Sequence, residues 1–256
     1  MALLQIHQFP CLSDNYGFLI HERLSGLTAT IDTPDAKVIQ RELKRKGWRL
    51  THILNTHHHP DHAGGNLWLK ERTGCIIVGP SADAARIPGI DLQVGDGETL
   101  EFGNAAALVY DTPGHTSGHI VYYFPDEDVA FVGDTLFAMG CGRLFEGSPE
   151  QMWDSLQKLM SWPGRTRIYC AHEYTRTNGR FALTVDPDNE ALIKRMEEVA
   201  RLREDGKPTV PTTMYQEKRT NPFLRPDSQG IRVQLGMEDA DDVEVFAEVR
   251  RRKDHF

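Results

Sequence analysis

The segment Thr56-His57-His58-His59-Pro60-Asp61-His62 holds four histidines and one aspartate within seven residues. Such side chains are costly to bury unless they are paired, so packing explains this density poorly. Imidazole nitrogens and carboxylate oxygens suit a borderline-soft divalent cation such as zinc, and the short spacing lets neighbouring side chains reach one point. A polar, solvated loop is the alternative interpretation. The density of potential ligands favours a metal site.

Further potential ligands follow short apolar runs elsewhere in the chain. The run 107–110 leads into Asp111-Thr112-Pro113-Gly114-His115, the run 129–133 leads into Asp134, and the run 167–171 leads into His172. The histidine-rich segment itself follows a run at 50–55 that is typical of a strand. In open α/β sheets, ligands collect outside the carboxyl ends of the strands, so we expect all four segments at one edge of the fold.

Seven of these side chains have the types and the spacing for a site with two metal ions. We expect one ion on His57, His59 and His115, a second on Asp61, His62 and His172, and Asp134 as a bridge. Three protein ligands per ion plus a bridge leave room for water, as catalytic sites do and closed structural sites do not. His58 is expected to point elsewhere, and His119 to support the ligands rather than to bind metal.

Three motifs, at 56–62, at Thr112-Pro113-Gly114-His115-Thr116-Ser117-Gly118-His119 and at Gly133-Asp134-Thr135, resemble the metallo-β-lactamase superfamily. Four later segments narrow the resemblance to glyoxalase II, the hydroxyacylglutathione hydrolases: Gly140-Cys141-Gly142-Arg143, Ala171-His172-Glu173-Tyr174-Thr175, Asn221-Pro222-Phe223-Leu224-Arg225 and Arg250-Arg251-Arg252-Lys253-Asp254. The histidine motif is shared by the whole superfamily. The later segments are therefore the ones that favour the glutathione thioesterases.

The resemblance implies an α/β fold of four layers, αββα, with a smaller C-terminal α-helical domain. We expect a metallo-β-lactamase-like catalytic domain at 1–172 and a helical, glutathione-binding domain at 173–256, packed across the mouth of the metal site. Local signals agree with layers of strands and helices: Ser148-Pro149-Glu150-Gln151 has the pattern of a capping box, and Thr33-Pro34 is a candidate helix start. Residues 81–97 are expected to be rich in loop, and no strand is predicted after Glu173.

The resemblance also implies which side chains hold glutathione: Arg143, Phe145, Tyr174, Arg250 and Lys253. Arg143 stands where the family often has lysine, and Phe145 stands where a tyrosine can occur, so a hydroxyl contact is lost there. From the residues alone, Tyr174 could equally be a core tyrosine. The basic end of the last helix could simply complement the helix dipole, because the acidic residues stand at its start.

The implied activity is hydrolysis of S-lactoylglutathione to D-lactate and glutathione, the second step of methylglyoxal detoxification. The implied cofactors are two divalent ions per chain, zinc first, with iron or manganese as alternatives, and a bridging hydroxide held by Asp134 and Asp61 is the expected nucleophile. A glutathione-persulfide dioxygenase with one iron, or another hydrolase of the same fold, is the main alternative. A β-lactamase, a metal-dependent nuclease and a non-catalytic zinc protein fit the residues less well.

Composition sets the remaining expectations. The 256 residues carry a formal net charge of -8, which disfavours a nucleic-acid binder. No apolar run approaches the ~20 residues needed to cross a bilayer, and the first residues do not have the pattern of a secretory signal. The four cysteines are scattered and form no C-x-x-C pair. We therefore expect a cytoplasmic monomer that acts on a small molecule, without a nucleic-acid or membrane partner.

Overall fold

The computed structural model of the chain describes residues 3–256. The chain folds into two compact units. The first unit runs to Asp111 and also contains Ser117–Gly133, and the second consists of Thr112–Thr116 and Asp134–Phe256. Within residues 3–256, no helix has both the length and the apolar character needed to span a bilayer.

The first unit begins with a mixed six-stranded sheet. Its strands lie side by side in chain order: β1 (Leu4–Cys11), β2 (Asn15–Glu22), β3 (Thr28–Ile31), β4 (His52–Leu54), β5 (Ile76–Pro80) and β6 (Leu92–Val94). The first three strands are antiparallel, whereas β3 to β6 pair in parallel. The carboxyl ends of β3, β4 and β5 therefore share one edge of the sheet.

Helices cover one face of this sheet. They are α1 (Ala36–Lys46), the short α2 (Pro60–Ala63) and α3 (Asn66–Thr73). The apolar stripe of α1 contributes Ile39 and Leu43 to a buried cluster, where Leu69 of α3 packs with Leu19 and Ile53 of the strands. Helix α1 ends at Gly47, which adopts the left-handed conformation that glycine tolerates best.

The other face of the first sheet packs against four antiparallel strands. These are β7 (Thr99–Phe102), β8 (Ala105–Asp111), β9 (Ile120–Phe124) and β10 (Val129–Gly133), hydrogen-bonded in that order. Between the sheets, the rings of Phe18 and Phe131 lie 5.6 Å apart, and the Tyr122 hydroxyl donates to the Asn55 carbonyl over 2.9 Å. The first unit thus shows a helix layer and two sheet layers of the expected architecture.

The second unit is mainly helical. Two short antiparallel pairs, β11 (Leu136–Phe137) with β12 (Gly140–Cys141) and β13 (Arg167–Cys170) with β14 (Thr212–Thr213), accompany helices α4 (Pro149–Met160), α5 (Thr175–Val185), α6 (Glu190–Glu204), α7 (Met214–Thr220), α8 (Gln229–Leu235) and α9 (Asp242–Asp254). Phe246 of α9 packs on Trp153 of α4, with ring centroids 5.9 Å apart. Buried Glu217 accepts hydrogen bonds from Arg195 and Thr212 and ties α6 and α7 to β14.

Local signals in the sequence located several elements and missed others. The capping box at Ser148 is confirmed, with Gln151 completing it. The N-cap of α1 is Asp35 rather than Thr33, whose hydroxyl instead donates to Asn66. The loop-rich stretch 81–97 also contains a 3-10 helix (Ser81–Arg86) and β6, neither of which was predicted. The expectation of no strand after Glu173 is wrong, because Thr212–Thr213 pairs with β13.

Candidate metal centre

The histidine-rich segment begins where β4 ends, as the strand pattern predicted. The chain leaves the sheet after Leu54, turns through residues 55–59 and enters α2, with His59 at the N-cap and Pro60 at the first helical position. A proline is well suited to that position because its fixed φ is already helical and its missing N–H is not needed there. The turn and the single helical turn bring His57, His59, Asp61 and His62 into one group.

Two of these histidines face each other through ring nitrogens. His57 Nε2 and His59 Nδ1 lie 3.1 Å apart. Two nitrogens bound to one tetrahedral zinc at bond lengths of about 2.05 Å would be about 3.3 Å apart, so this separation suits a shared ion. His57 is fully buried, which fixes the orientation of its ring.

The other two potential ligands of the segment also form a pair. His62 Nε2 lies 3.4 Å from Asp61 Oδ2, and Asn15 Nδ2 donates to the same oxygen over 3.0 Å. The rings of His57 and His62 have centroids 4.0 Å apart. Each pair thus offers neighbouring ligand atoms, as the proposed division between two ions requires.

Asp32 fixes the protonation of two of these rings. His62 Nδ1 lies 2.8 Å from Asp32 Oδ2, and the Thr56 hydroxyl donates to the same oxygen over 2.8 Å. A carboxylate only accepts, so Nδ1 of His62 carries the hydrogen, and in the neutral imidazole Nε2 keeps its lone pair. Thr56, whose hydrogen is already donated, accepts from His57 Nδ1 over 3.0 Å, which leaves Nε2 of His57 with a lone pair as well. Outer carboxylates and hydroxyls orient metal-binding histidines in this way.

Sequence reasoning did not find Asp32. Its signal was present, because Ala29-Thr30-Ile31-Asp32 is one more apolar run that ends in an aspartate. The side chain is buried, and the backbone there has a φ of 56°, a value that is uncommon outside glycine. The Thr56 amide also donates to Asp32 Oδ1 over 2.7 Å, so the end of β3 holds the start of the histidine-rich turn.

The second unit contributes His115, Asp134 and His172. Asp134 Oδ2 lies 3.4 Å from His115 Nε2, and Asp134 Oδ1 lies 3.5 Å from His172 Nε2. His115 Nδ1 lies 2.9 Å from the Arg143 carbonyl, which only accepts, so Nε2 of His115 also keeps its lone pair. All three side chains are buried. The two oxygens of one carboxylate therefore face two different histidines.

Gly133, directly before Asp134, is required by close packing. Its φ is +48°, and an added Cβ would lie 2.6 Å from His119 Nε2 and 2.7 Å from Thr56 Oγ1. His119 is buried and stacks on His57 with ring centroids 4.7 Å apart, which agrees with a supporting place for it. His58 turns its Nδ1 to Asp83 at 3.1 Å and so points elsewhere, as expected.

The seven side chains fit a divalent cation. Each of them offers a ligand atom to a group that could hold a metal ion. In their neutral form His57, His62 and His115 turn Nε2 lone pairs away from their hydrogen-bonded Nδ1 atoms, and the carboxyl groups of Asp61 and Asp134 lie beside histidines. This is the donor chemistry of zinc, iron and manganese sites.

Two aromatic side chains of the second unit lie beside these ligands and remain accessible. Tyr174 is 38% exposed, and its ring stacks on His172 with centroids 4.7 Å apart and planes at 3°. Phe145 is 61% exposed and meets His115 edge to face at 5.2 Å. Exposed aromatic surface next to polar ligands is typical of a ligand pocket. Tyr174 is therefore not a core tyrosine.

The basic candidates differ in their surroundings. Arg143 is exposed and Lys253 is half-buried. Burial lowers the pKa of Lys253 from its ordinary value, and the charges of Arg250 and Arg143 lower it further. Arg250 is buried and donates to the Cys141 carbonyl over 2.9 Å and to Asp254 over 2.7 Å. Arg250 therefore also fixes the end of β12, and its contact with glutathione stays a prediction.

The cysteines are unsuited to nucleophilic chemistry. All four are free and buried. Burial raises the pKa of Cys170 to about 12 and that of Cys141 to about 11, the latter in spite of the nearby Arg250 charge. A thiol with such a pKa stays protonated near neutral pH and is inert.

Comparisons with known proteins place this site in a family. A model of the metallo-beta-lactamase superfamily matches residues 29–172, and a model of the hydroxyacylglutathione hydrolase C-terminus matches residues 173–256. The chain is 59% identical over 256 residues to a hydroxyacylglutathione hydrolase of Maricaulis maris (strain MCS10), with 100% of both chains covered. It is 55% identical over 254 residues to a hydroxyacylglutathione hydrolase of Methylococcus capsulatus (strain ATCC 33009 / NCIMB 11132 / Bath), with 99% of both covered.

Among solved structures, ETHE1 from Myxococcus xanthus is similar with a TM-score of 0.69 and 25% identity, covering 96% of this chain and 90% of that one. The superfamily match confirms the expected fold class, a metallo-β-lactamase fold followed by a C-terminal domain. With both family models matched and full-length relatives above half identity, the chain belongs to the hydroxyacylglutathione hydrolases of the metallo-β-lactamase superfamily.

Proposed function

We propose that the chain hydrolyses glutathione thioesters of 2-hydroxy acids, with S-lactoylglutathione as substrate and D-lactate and glutathione as products. The full-length relatives carry the name of this activity. The chain is thereby assigned to the second step of methylglyoxal detoxification.

One observation carries the metal-dependent form of this proposal. The two carboxylate oxygens of Asp134 lie 3.4 Å and 3.5 Å from the Nε2 atoms of two different histidines, His115 and His172. A carboxylate in that position can bridge two cations, one on the side of each imidazole. The paired ligands of the first unit, His57 with His59 and Asp61 with His62, divide in the same way.

The ligand sets follow from these pairs. One ion is assigned to His57, His59 and His115, and the other to Asp61, His62 and His172, with Asp134 shared. When bound, two divalent cations supply Lewis acidity and make hydroxide available near neutral pH. Zinc is the first choice, because imidazole and carboxylate ligands suit it, and iron and manganese are the alternatives.

The chain's own residues then orient the reactants. Asp134 and Asp61 would hold the nucleophilic hydroxide, and no side-chain nucleophile is needed. The leaving group is a thiolate whose conjugate acid has a pKa of roughly 8.5, so it departs without a general acid. Phe145 and Tyr174 offer exposed apolar surface for the thioester beside the ligands, and Arg143, Lys253 and Arg250 supply positive charge for the glutathione carboxylates.

We also propose a role for each of two domains. Residues 1–172 form the catalytic domain, and residues 173–256 form the domain that binds glutathione. Four free, buried cysteines suit a reducing compartment, so we place the protein in the cytoplasm. We also propose that it is a monomer and that it acts on a small molecule.

A comparison of two reactions tests the activity. In the first reaction, the purified, metal-loaded protein is given S-lactoylglutathione, and the release of D-lactate and free thiol is measured. In the second, it is given glutathione persulfide, and oxygen uptake is measured. We expect thioester hydrolysis without oxygen uptake. Oxygen uptake without thioester hydrolysis would replace the proposal with the dioxygenase alternative.

A further inference from the structure

Asp83 is a buried carboxylate outside the proposed ligand set. It lies in the 3-10 helix Ser81–Arg86, and its side chain is 2% exposed. It accepts hydrogen bonds from Nε of Arg86 over 3.2 Å and from Nη2 over 2.5 Å. A buried charge is retained only when it is paired in this way.

The same carboxylate reaches the histidine-rich turn. His58 Nδ1 lies 3.1 Å from Asp83 Oδ2, and Arg86 Nη1 lies 3.2 Å from His58 Nε2. Arginine only donates, so His58 Nε2 accepts and Nδ1 carries the hydrogen that Asp83 receives. The ring that stands between His57 and His59 in the chain is thus held at both of its nitrogens.

Asp83 and Arg86 also hold a second loop. Arg86 Nη2 donates to Ser117 Oγ over 2.9 Å, two residues after His115. At Gly118 an added Cβ would lie 2.3 Å from Asp83 Cγ, so the backbone approaches the carboxylate as closely as only glycine allows. One ion pair therefore fixes segments adjacent to His57, His59 and His115.

A purely local role explains only part of this arrangement. The i,i+3 pair of Asp83 with Arg86 would by itself stabilise a short 3-10 helix. It does not account for bonds to residues 25 and 31 positions away in the chain. Those bonds lead to the turn that carries His57 and His59 and to the loop that follows His115, which are proposed ligands of the same ion.

We propose that Asp83, with Arg86, is a positioning residue that sets the geometry of His57, His59 and His115 and so the affinity for the ion they hold. The inference rests on the proposed function, because it presumes the two-ion ligand sets. The effect is expected on that ion alone, because the bonds of Asp83 and Arg86 lead to His58 and to Ser117, next to its proposed ligands. Outer residues that orient ligands typically change metal affinity by roughly ten- to a hundredfold.

The test is a zinc titration in competition with a chromophoric chelator. It is run on the metal-free unchanged protein and on metal-free Asp83→Asn, and for each protein it gives two zinc dissociation constants, one per ion. Asparagine keeps the shape but loses the charge and one acceptor oxygen. We expect one of the two constants to rise roughly ten- to a hundredfold and the other to stay within about twofold. Excess zinc should restore kcat, and KM should not change.

Glu22→Gln is the matched control, since Glu22 is also a buried carboxylate of the first unit but bonds to residues 24, 25 and 104, away from the ligand loops. We expect it to lower the thermal midpoint of the metal-free protein while both zinc constants stay unchanged. Ser117→Ala removes the hydroxyl that accepts from Arg86 and should raise one of the two zinc dissociation constants by a few fold. It serves as a second test in case Asp83→Asn fails to fold.

Two results would overturn the positioning role. One is Asp83→Asn and Ser117→Ala with both zinc constants unchanged, and the other is an equal rise of both constants that excess zinc does not rescue. The proposed function is tested by thioester hydrolysis in the unchanged protein. The positioning role is tested by the ratio of the zinc dissociation constants of the variant to those of the unchanged protein. A protein that binds two ions but leaves thioesters intact would contradict the proposed function alone.

Discussion

Two imidazoles of the histidine-rich turn, those of His57 and His62, are oriented by a hydrogen bond at the nitrogen that does not face the proposed ion. Asp32 accepts a hydrogen bond from Nδ1 of His62, and the Thr56 hydroxyl accepts one from Nδ1 of His57. The remaining nitrogens keep their lone pairs, which metal binding requires. The sequence was enough to propose these side chains as ligands, because four histidines within seven residues are rarely needed for packing alone. Their tautomers could not, because they depend on partners distant in the chain.

Replacing Asp134 by alanine should lower metal content and thioester hydrolysis together. The change removes both oxygens that face His115 and His172. We expect fewer than two ions per chain by elemental analysis and a loss of kcat of at least a hundredfold, about 2.7 kcal/mol in the barrier. Asp126→Ala, in an exposed turn, is the control and should behave like the unchanged protein. Two ions per chain in Asp134→Ala would contradict the bridging role.

Lys253→Ala should weaken binding of the glutathione thioester without affecting catalysis or metal binding. The half-buried amine, with its lowered pKa, lies close to other cations and gains from a carboxylate partner. Loss of one charge-assisted hydrogen bond of about 1.5–3 kcal/mol should raise KM roughly ten- to more than a hundredfold. Values of kcat and metal content should stay the same, as should hydrolysis of a small thioester that has no glutathione peptide.

The control for Lys253 is Arg251→Ala on the same helix, because Arg251 is exposed and pairs with Glu248. An equal rise of KM in both variants would show that the helix acts only through its charge. Arg250→Ala is expected to differ from both by lowering stability, since its guanidinium donates to the buried Cys141 carbonyl.

At the scale of elements, the sequence predicted those with strong periodicity or caps. The capping box at Ser148 is confirmed because cap chemistry is local. The 3-10 helix Ser81–Arg86 and the two-residue strand Thr212–Thr213 were missed, since neither is long enough to show a period. Their existence depends on bonds to distant segments, such as those that Asp83 makes.

Glu22 gives a pH-dependent test of one such long-range tie. Burial would raise its pKa, but hydrogen bonds from Ser25, Leu24 and Asn104 outweigh burial and lower the pKa from 4.5 to about 2. A carboxyl whose pKa is lower in the folded state adds stability above its unfolded pKa and loses it as pH falls through the folded value. We expect this contribution to be present above pH 4.5 and to disappear between pH 4.5 and 2.

Urea unfolding at a series of pH values checks this expectation. The unchanged protein should lose more unfolding free energy between pH 4.5 and 2 than Glu22→Gln does, because the amide does not titrate. Measuring metal-free protein keeps the release of ions out of the comparison. Parallel pH profiles for the two proteins would contradict the tie between the β2–β3 turn and the β7–β8 hairpin.

Over the whole molecule, the bounds of the compact units differ from those of the stretches that the family models match. His57, His59, Asp61 and His62 belong to the first unit, and His115, Asp134 and His172 to the second. The family models match two other stretches, 29–172 and 173–256. Fold class and family could be predicted from the sequence because the motifs are specific. The bounds of the compact units could not, because they depend on how distant segments pack, which no single motif reports.

Metal dependence is the central claim, and stepwise reconstitution tests it most directly. The protein is stripped of metal with a chelator, zinc is added back in measured amounts, and bound zinc and S-lactoylglutathione hydrolysis are followed together. We predict no hydrolysis in the metal-free protein, recovery as zinc binds, and a plateau at two ions per chain. Full hydrolysis by the metal-free protein, or a plateau of both binding and hydrolysis at one ion per chain, would contradict the two-ion site.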